Sequence, residues 1–264
     1  MKEQTNISII MAVHELASES EQMLTNAIQS VEDQTQQPDE LLIVVPKGAA
    51  FIKKLKGLLP KSMLKITILE NDGATDFSSQ INFGVKECKT EWFSILEYDD
   101  EYAKIWVKNA VEYRAAHPEV ELFLPIVIDV DAAGNFIGFT NEAVWANSFS
   151  DELGILDNGA LLNYQNFSVD GMVMKKSVYD EFGGFKPSIK LTFITEFLLR
   201  MTFKDVKVMV IPRFGYKHVN QREGSLFSEY TKTIDPIEAK WWVATAKKEY
   251  YFPNDRNITY ESQL

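Results

Sequence analysis

The chain has 264 residues, of which 45% are hydrophobic and 12% aromatic, so it is long and apolar enough to bury a substantial core. A fibre or a disordered tail is therefore excluded. Its 27 basic and 38 acidic residues give a net charge of −11, which opposes non-specific binding to nucleic acid or to anionic lipid. The single cysteine, Cys88, excludes an internal disulfide framework. With no signal peptide and no apolar run long enough to span a membrane, we expect a soluble, cytoplasmic protein.

The first hundred residues alternate between strand-like and helix-like segments. Short apolar runs rich in β-branched residues predict four strands, at 7–13, 41–45, 66–69 and 92–96. Apolar side chains at helical spacing predict helices between these strands, beginning near Ser18 or Ser20, at Phe51, and at Asp76 or Ser78. This alternation is typical of an α/β protein whose central sheet is mainly parallel and has helices on both faces.

The second half of the chain has a less regular pattern. It predicts helices at 106–116, 177–182, 195–203 and 236–250, and strands at 120–130, 169–174 and 206–211. Scattered Asn, Ser and Gly predict surface loop for residues 140–168. Because no linker or repeat is visible, we expect one domain, residues 1–226, followed by a C-terminal helical extension and tail, residues 227–264.

Polar side chains follow each of the first four predicted strands. In an open parallel sheet, ligands bind beyond the carboxyl ends of the strands, so these positions are candidates for a site. They are His14 and Glu15, residues 46–48, residues 71–73, and residues 97–100. The chain has neither GxGxxG nor GxxxxGK[ST], which excludes the two common glycine-rich phosphate loops.

The acidic group that begins with Glu97, Tyr98 and Asp99 is the most specific of these features. Residues two apart at a strand end point to the same side, so Glu97 and Asp99 can face one ligand. Two carboxylates suit Mg²⁺ or Mn²⁺ bound to a substrate diphosphate. The alternative is an acidic helix N-terminus, where carboxylates complement the helix dipole.

Several stretches, in their order along residues 5–226, resemble the family 2 glycosyltransferases, which have a GT-A-type fold. The stretches are ISIIMAVHE, AIQSVEDQTQQPDELLIVV, NFGVKECKTEWFSILEYDDEY, GMVMKKSVYDEFGGF, TEFLLR and VIPRFGYKH. The resemblance implies transfer of a sugar from a nucleotide diphosphate donor to an acceptor hydroxyl, dependent on Mn²⁺ or Mg²⁺ and inverting the anomeric centre. The acceptor class is left open.

The resemblance also implies roles for individual residues. Glu97 to Asp99 is similar to the D-x-D motif, with Asp99 the metal ligand and Glu97 near the ribose or a metal-bound water. His218 takes the place of a late histidine near the metal and the diphosphate. The resemblance places nucleotide-binding residues at Val13, Glu15 and Asn82.

Two departures from the family pattern leave alternatives open. The aspartate turn that contacts the base follows the third predicted strand rather than the second, so either Lys47 or Asp72 can meet the nucleotide. Where the family has Glu-Asp with the catalytic base, this chain has Phe193 and Ile194. The sequence therefore leaves two candidates for the base, Glu196 first and Asp170 second.

Arg222 is a further candidate, because guanidinium geometry suits phosphate oxygens, although a solvated loop charge is the simpler interpretation. The sequence is also compatible with two other functions. One is a glycosyltransferase-like protein that has lost its base and binds a ligand or partner. The other, less favoured, is a nucleotidyltransferase, whose Gly-rich phosphate loop is not visible after Val13.

Overall fold

The computed structural model describes residues 4–14, 18–60, 64–147, 152–164, 166–220 and 225–250. Its first half alternates strands and helices as predicted. These elements are β1 (Ile7–Ala12), α1 (Ser18–Glu32), β2 (Glu40–Pro46), α2 (Ala49–Leu58), β3 (Ile66–Asn71), α3 (Phe77–Glu87) and β4 (Trp92–Ile95). Each boundary lies within a few residues of the prediction because apolar runs and caps are local features. The Asp76 side chain, for example, accepts a hydrogen bond from the Ser79 N–H and caps α3.

The second half adds short strands and helices around two longer strands. These elements are β5 (Glu101–Tyr102), α4 (Trp106–Ala116), β6 (Leu122–Val130), β7 (Phe136–Thr140), α5 (Ala143–Asn147), β8 (Ile155–Leu156), α6 (Asn158–Asn163), β9 (Val173–Lys175), α7 (Lys176–Phe182), α8 (Phe193–Phe203), β10 (Val208–Val219), α9 (Leu226–Thr233) and α10 (Pro236–Tyr250).

One central sheet of ten strands organises the described part of the chain, with the main order β3-β2-β1-β4-β9-β6-β10-β5. The first four of these strands are parallel, as predicted. Strand β9 is antiparallel to both β4 and β6, β10 is parallel to β6, and β5 is antiparallel to β10. Strands β7 and β8 pair antiparallel with β6 and β10. The sheet is thus parallel in its first half and mixed in its second.

Alternate side chains of each central strand pack on opposite faces of the sheet. On one face, Ile10 and Val44 belong to an apolar cluster that also contains Ile81 of α3 and Leu198 of α8. On the other face, a second cluster includes side chains from β1, β2, α1 and α4. Strands buried on both faces explain why residues 9–13 and 41–45 are apolar throughout.

The prediction of loop for residues 140–168 was wrong in part. Helices α5 and α6 and strand β8 lie within this segment, and β7 precedes it. Strand β10 also continues past Pro212, where the sequence predicted its end. Its register against β6 shifts between Val210 and Phe214, and an irregular register is where a strand tolerates proline. In the described residues, no helix has the length and apolar character needed to cross a membrane.

Candidate functional site

A cavity of about 390 Å³ opens at the carboxyl ends of β1 and β4, the edge of the sheet that the sequence indicated. Acidic side chains dominate its polar lining. The charged and imidazole side chains that line it are Asp76, Glu97, Asp99, Asp129, Asp170, His14, Lys190 and His218. The structure therefore brings together four residues predicted for the site: Glu97, Asp99, Asp170 and His218.

The acidic cluster after β4 consists of Glu97, Asp99 and Asp100. One carboxylate oxygen from each lies within 4.8 Å of the others. The backbone N–H of Glu97 donates to Tyr216 Oη at 3.0 Å, which fixes the start of the cluster against β10. Burial raises the pKa of Glu97 well above its usual value, and the neighbouring charges of Asp100 and Asp170 raise it further. This cluster favours the binding of a cation.

His218 on β10 is paired with Asp100. Its Nδ1 lies 3.1 Å from Asp100 Oδ2, and the Val219 N–H donates to Asp100 Oδ1 at 2.8 Å. Burial alone would lower the pKa of His218, but the hydrogen bond to Asp100 and the charges of Asp100, Asp170 and Glu97 raise it. With Nδ1 directed at Asp100, only Nε2 remains for a metal, so a metal-ligand role for His218 stays a prediction.

Asp170 lies near the same nitrogen of His218 as Asp100 does, with Oδ2 3.9 Å from His218 Nδ1. Its position depends on the glycine that follows. Gly171 has φ +69°, and a Cβ there would lie 2.7 Å from the Tyr216 ring. The Gly171 carbonyl accepts a hydrogen bond from Trp106 Nε1 at 2.9 Å. The chain therefore turns at Gly171, the hydrogen bond from Trp106 holds this turn in place, and Asp170 lines the cavity.

Phe193 and Ile194, at the start of α8, line the cavity, so the position where the resemblance places the base is at the site but carries no carboxylate. Glu196 lies elsewhere. It is buried, does not line the cavity, and accepts hydrogen bonds from Arg200 Nε at 2.8 Å and Nη2 at 3.0 Å. Lys186 Nζ lies 2.8 Å from the same carboxylate. Because both oxygens are held in ion pairs, the geometry favours Asp170 over Glu196 as the base.

Asn82 of α3 does not line the cavity in this structure. Its Nδ2 donates to the Phe185 carbonyl at 2.8 Å, and its Oδ1 accepts from Tyr179 Oη at 2.6 Å and from the Phe185 N–H at 3.0 Å. The side chain thus joins α3 to the segment after α7. These contacts favour a structural role for Asn82 over contact with the nucleotide.

The remaining predicted nucleotide contacts differ in position. Lys47 and Asp72 are exposed, lie 3.6 Å apart as an ion pair, and do not line the cavity. Val13 is buried, and its backbone N–H donates to the Val44 carbonyl at 2.9 Å, but its neighbours in sequence line the cavity. Glu15 and Arg222 lie outside the described residues.

Sequence reasoning missed several residues of the cavity. Asp129 on β6 is 9% exposed and accepts a hydrogen bond from Thr140 Oγ1 at 2.7 Å. Burial raises its pKa, and the bond from Thr140 opposes this. Lys190 lies 3.4 Å from Asp76 and 5.8 Å from the ring of Tyr230 on α9. The sign in the sequence that could have indicated Asp129 is its place inside the apolar run LPIVIDV. A charged side chain in a buried strand is costly unless it is paired or has a function.

Comparison with known proteins shows which family has this architecture. Residues 8–150 match the family model described as glycosyl transferase family 2. A comparison with curated protein sequences gave no match.

Solved structures similar to the chain include those of TarS from S. aureus. TarS 1–349 in complex with UDP-GlcNAc has a TM-score of 0.65 at 16% identity, over 94% of this chain and 68% of that one. The complex of TarS 1–349 with UDP has a TM-score of 0.59 at 15% identity, over 97% and 76%. A longer TarS structure has a TM-score of 0.57 at 16% identity, and this chain covers 46% of it. The family match spans more than half of the chain and the fold agrees with it, so this protein belongs to glycosyl transferase family 2 and has a GT-A-type fold.

Proposed function

We propose that the protein transfers a sugar from a nucleotide diphosphate donor to an acceptor hydroxyl, with the help of a divalent cation and with inversion at the anomeric carbon. One observation carries this proposal. The cavity holds an acidic cluster suited to a cation and, beside His218, a further carboxylate, Asp170. Such a transfer needs both a group that stabilises the departing diphosphate and a carboxylate for the acceptor proton.

The acidic cluster fits a hard cation such as Mn²⁺ or Mg²⁺. Its ligands would be carboxylate oxygens of Asp99 and Glu97, which these ions prefer. Asp100 is already engaged with His218 and Val219, so we assign it to positioning His218 rather than to the ion. When bound, the cation would neutralise charge on the diphosphate as it leaves.

The chain's own residues then handle the acceptor. Asp170 accepts the hydroxyl proton of the acceptor while the hydroxyl oxygen bonds to the anomeric carbon and the bond from that carbon to the diphosphate oxygen breaks. A single displacement of this kind inverts the anomeric centre. His218, 3.9 Å from Asp170, holds positive charge between that carboxylate and the acidic cluster and so reduces their mutual repulsion.

A uridine diphosphate sugar is the first donor to test, because TarS structures of similar fold contain UDP-GlcNAc and UDP. The nucleotide contacts predicted at Val13, Glu15, Lys47, Asp72, Asn82 and Arg222 remain predictions. Among the described residues of that set, Val13 is the one whose two sequence neighbours, Ala12 and His14, both line the cavity.

The test is a screen of nucleotide sugars by thermal shift, with and without Mn²⁺, followed by measurement of donor hydrolysis. We expect UDP-GlcNAc or another donor to raise the melting temperature only when the cation is present. Asp99→Asn keeps the shape of the side chain and removes its charge, so it should abolish the cation-dependent shift. Asp180→Asn, an exposed carboxylate on α7, is the matched control. A shift that survives unchanged in Asp99→Asn contradicts the assignment of the cation site.

One observation favours a second candidate function, ligand binding without transfer. Phe193 and Ile194 present apolar side chains to the cavity where the resemblance places the base. A protein that binds donors with Mn²⁺ but neither hydrolyses nor transfers them would support this second function.

A further inference from the structure

One wall of the cavity carries polar side chains that the proposed chemistry does not use. It is formed by the hairpin of β6 and β7 and by the segment before β9, and its residues are Asp129, Thr140 and Asn166. Thr140 Oγ1 lies 2.7 Å from Asp129 Oδ2 and 3.2 Å from Asn166 Oδ1. We refer to these three residues as the hairpin wall.

The oxygen atoms of the hairpin wall that can accept a hydrogen bond outnumber the hydrogen-bond donors available to them within the wall. Thr140 has one hydroxyl proton and faces two oxygens. The amide of Asn166 donates to the Phe139 carbonyl at 2.7 Å, which directs its Oδ1 toward Thr140. Asp129 is nine-tenths buried, and its Oδ1 has no hydrogen-bond partner among the residues that the structure describes. A ligand that donates hydrogen bonds would satisfy these oxygens.

The hairpin wall is also held rigidly. Asn141, directly after β7, has φ +71° and is fully buried. Its Nδ2 donates to the carbonyls of Pro125 at 2.9 Å and Ser168 at 3.2 Å, and its Oδ1 accepts from the Ser168 N–H at 2.8 Å. These bonds join the hairpin to the segment that leads to Asp170, so the wall keeps a fixed position relative to that carboxylate.

The location of the hairpin wall suits the acceptor rather than the donor. Asp129 is the register partner of His218 across β6 and β10, and His218 lies beside Asp170. Strands β4 and β9 separate β6 from β1, β2 and β3, after which the nucleotide contacts at Val13, Lys47 and Asp72 were predicted. A hydroxyl compound held by Asp129 and Thr140 therefore lies away from those positions. It would be next to the proposed base.

The surroundings restrict the class of acceptor. An alkyl chain against Asp129 would remove water from a carboxylate and replace none of its hydrogen bonds, which is costly. An anionic acceptor would be repelled by the carboxylates that line the cavity. A neutral molecule with several hydroxyl groups avoids both costs, because each hydroxyl can donate to one wall oxygen and accept from another group.

We infer that the hairpin wall is the acceptor subsite and that the acceptor is a neutral, polyhydroxylated molecule, either a sugar or an alditol. This inference rests on the proposed function for the identity of the reaction. The pairing of the wall with hydroxyl groups can be measured without any donor.

The experiment measures binding to the full chain by saturation-transfer NMR. The probes are maltotriose for a sugar, D-sorbitol for an alditol, n-butanol for an apolar alcohol and gluconate for an anionic polyol. We expect maltotriose or sorbitol to bind more tightly than butanol and gluconate. Asp129→Ala and Thr140→Val should each weaken that binding about ten-fold or more, because each removes a hydrogen bond that includes or orients a charged group.

Asp131→Asn is the matched control, since Asp131 lies in the turn of the same hairpin and its hydrogen bonds are local to that turn. It should leave polyol binding unchanged. The inference is overturned if neither polyol binds to the wild type, if butanol or gluconate binds more tightly, or if both wall variants bind polyol as the wild type does. Melting temperatures of all variants show whether each one is folded.

Binding of UDP with Mn²⁺, measured by calorimetry on the same samples, separates this inference from the proposed function. Polyol binding without nucleotide binding contradicts the proposed function and leaves the hydroxyl subsite standing. Nucleotide binding without polyol binding contradicts the subsite alone.

Discussion

Glu196 on α8 anchors the start of this helix to the segment after α7. Its carboxylate accepts two hydrogen bonds from Arg200, and Arg200 in turn donates to the carbonyls of Phe182 and Gly184 at 2.7 and 2.8 Å. Lys186 pairs with the same carboxylate. The residue that the sequence favoured as a base is thus the centre of a buried structural network.

We predict that Glu196→Gln lowers the free energy of unfolding by about 3 kcal/mol at pH 7, because it leaves Arg200 buried without its charged partner. Burial alone would raise the pKa of Glu196, but the hydrogen bonds and charges of Arg200 and Lys186 lower it below the usual 4.5. The stabilisation is therefore complete above about pH 4.5 and is lost as the pH falls through the lower, folded-state pKa. Urea unfolding at pH 7 and at about pH 4 should show the difference between variant and wild type shrinking with acid.

Asp170 is the residue to substitute for a test of the base. We predict that Asp170→Asn lowers kcat by about 10²-fold with any donor and acceptor that the wild type uses, because the acceptor proton then has no carboxylate to accept it. Glu196→Gln, assayed at a temperature where it is folded, should retain most of the activity. The opposite ranking of these two variants would return the role of base to Glu196.

Sequence patterns predicted those elements whose causes are local. Helices α4 and α10 have the predicted bounds, and the four parallel strands were found from apolar runs. Strands β7 and β8 were not found, since they are short and their pairing depends on β6 and β10, far away in the chain. The continuation of β10 past Pro212 was missed for the same reason, because register irregularity is set by the neighbouring strand.

The residues of the candidate site were likewise predictable only where their position depends on local sequence and on the order of the first strands. Glu97 and Asp99 were found because strand order places them at the ligand-binding edge. Asp129 could not be placed there, because the position of β6 beside β10 is a matter of sheet topology. Glu196 was chosen for its place in sequence, whereas its pairing with Arg200 one turn later decides its environment.

The turn at Gly171 gives a prediction at the level of the element. Gly171→Ala requires a side chain at φ +69° and places a Cβ 2.7 Å from the Tyr216 ring. We expect it to lower the free energy of unfolding by about 1 to 3 kcal/mol and to displace Asp170 from the cavity. Gly134→Ala is the control, because Gly134 also has a positive φ, of 83°, but nothing lies within 4 Å of its added Cβ. Urea unfolding and activity assays of both variants measure the difference, and an equal loss in Gly134→Ala would assign the effect to backbone strain alone rather than to the contact with Tyr216.

For the molecule as a whole, α10 belongs to the packed core of the described structure. Tyr250 and Ala246 lie in the same apolar cluster as α8. The Lys186 ammonium donates to Tyr250 Oη at 2.9 Å, and Asn158 Nδ2 donates to the Tyr250 carbonyl at 3.2 Å. The division into a domain of residues 1–226 and an extension of residues 227–264 stays a prediction, and this packing makes it testable by mutation.

We predict that Tyr250→Ala lowers the free energy of unfolding by about 3 kcal/mol, as expected for the loss of a buried aromatic side chain. Trp241→Ala on the same helix should change it by less than about 0.5 kcal/mol, since Trp241 is 56% exposed. Chemical denaturation of both variants measures the difference. A Tyr250→Ala variant as stable as the wild type would support an independent extension.

The hydrogen bond from Glu97 to Tyr216 joins residues 119 positions apart in the chain. During synthesis at about 5 to 20 residues per second, the acidic cluster therefore leaves the ribosome roughly 6 to 24 s before the strand that holds it in place. The four parallel strands all precede β10 and can pair with one another during this interval, although β4 gains its second neighbour, β9, only later. The nascent chain can thus form the parallel half of the sheet before it acquires His218 and the later cavity residues Ser225 and Tyr230, so a ribosome stalled before β10 would carry paired parallel strands without a finished cavity.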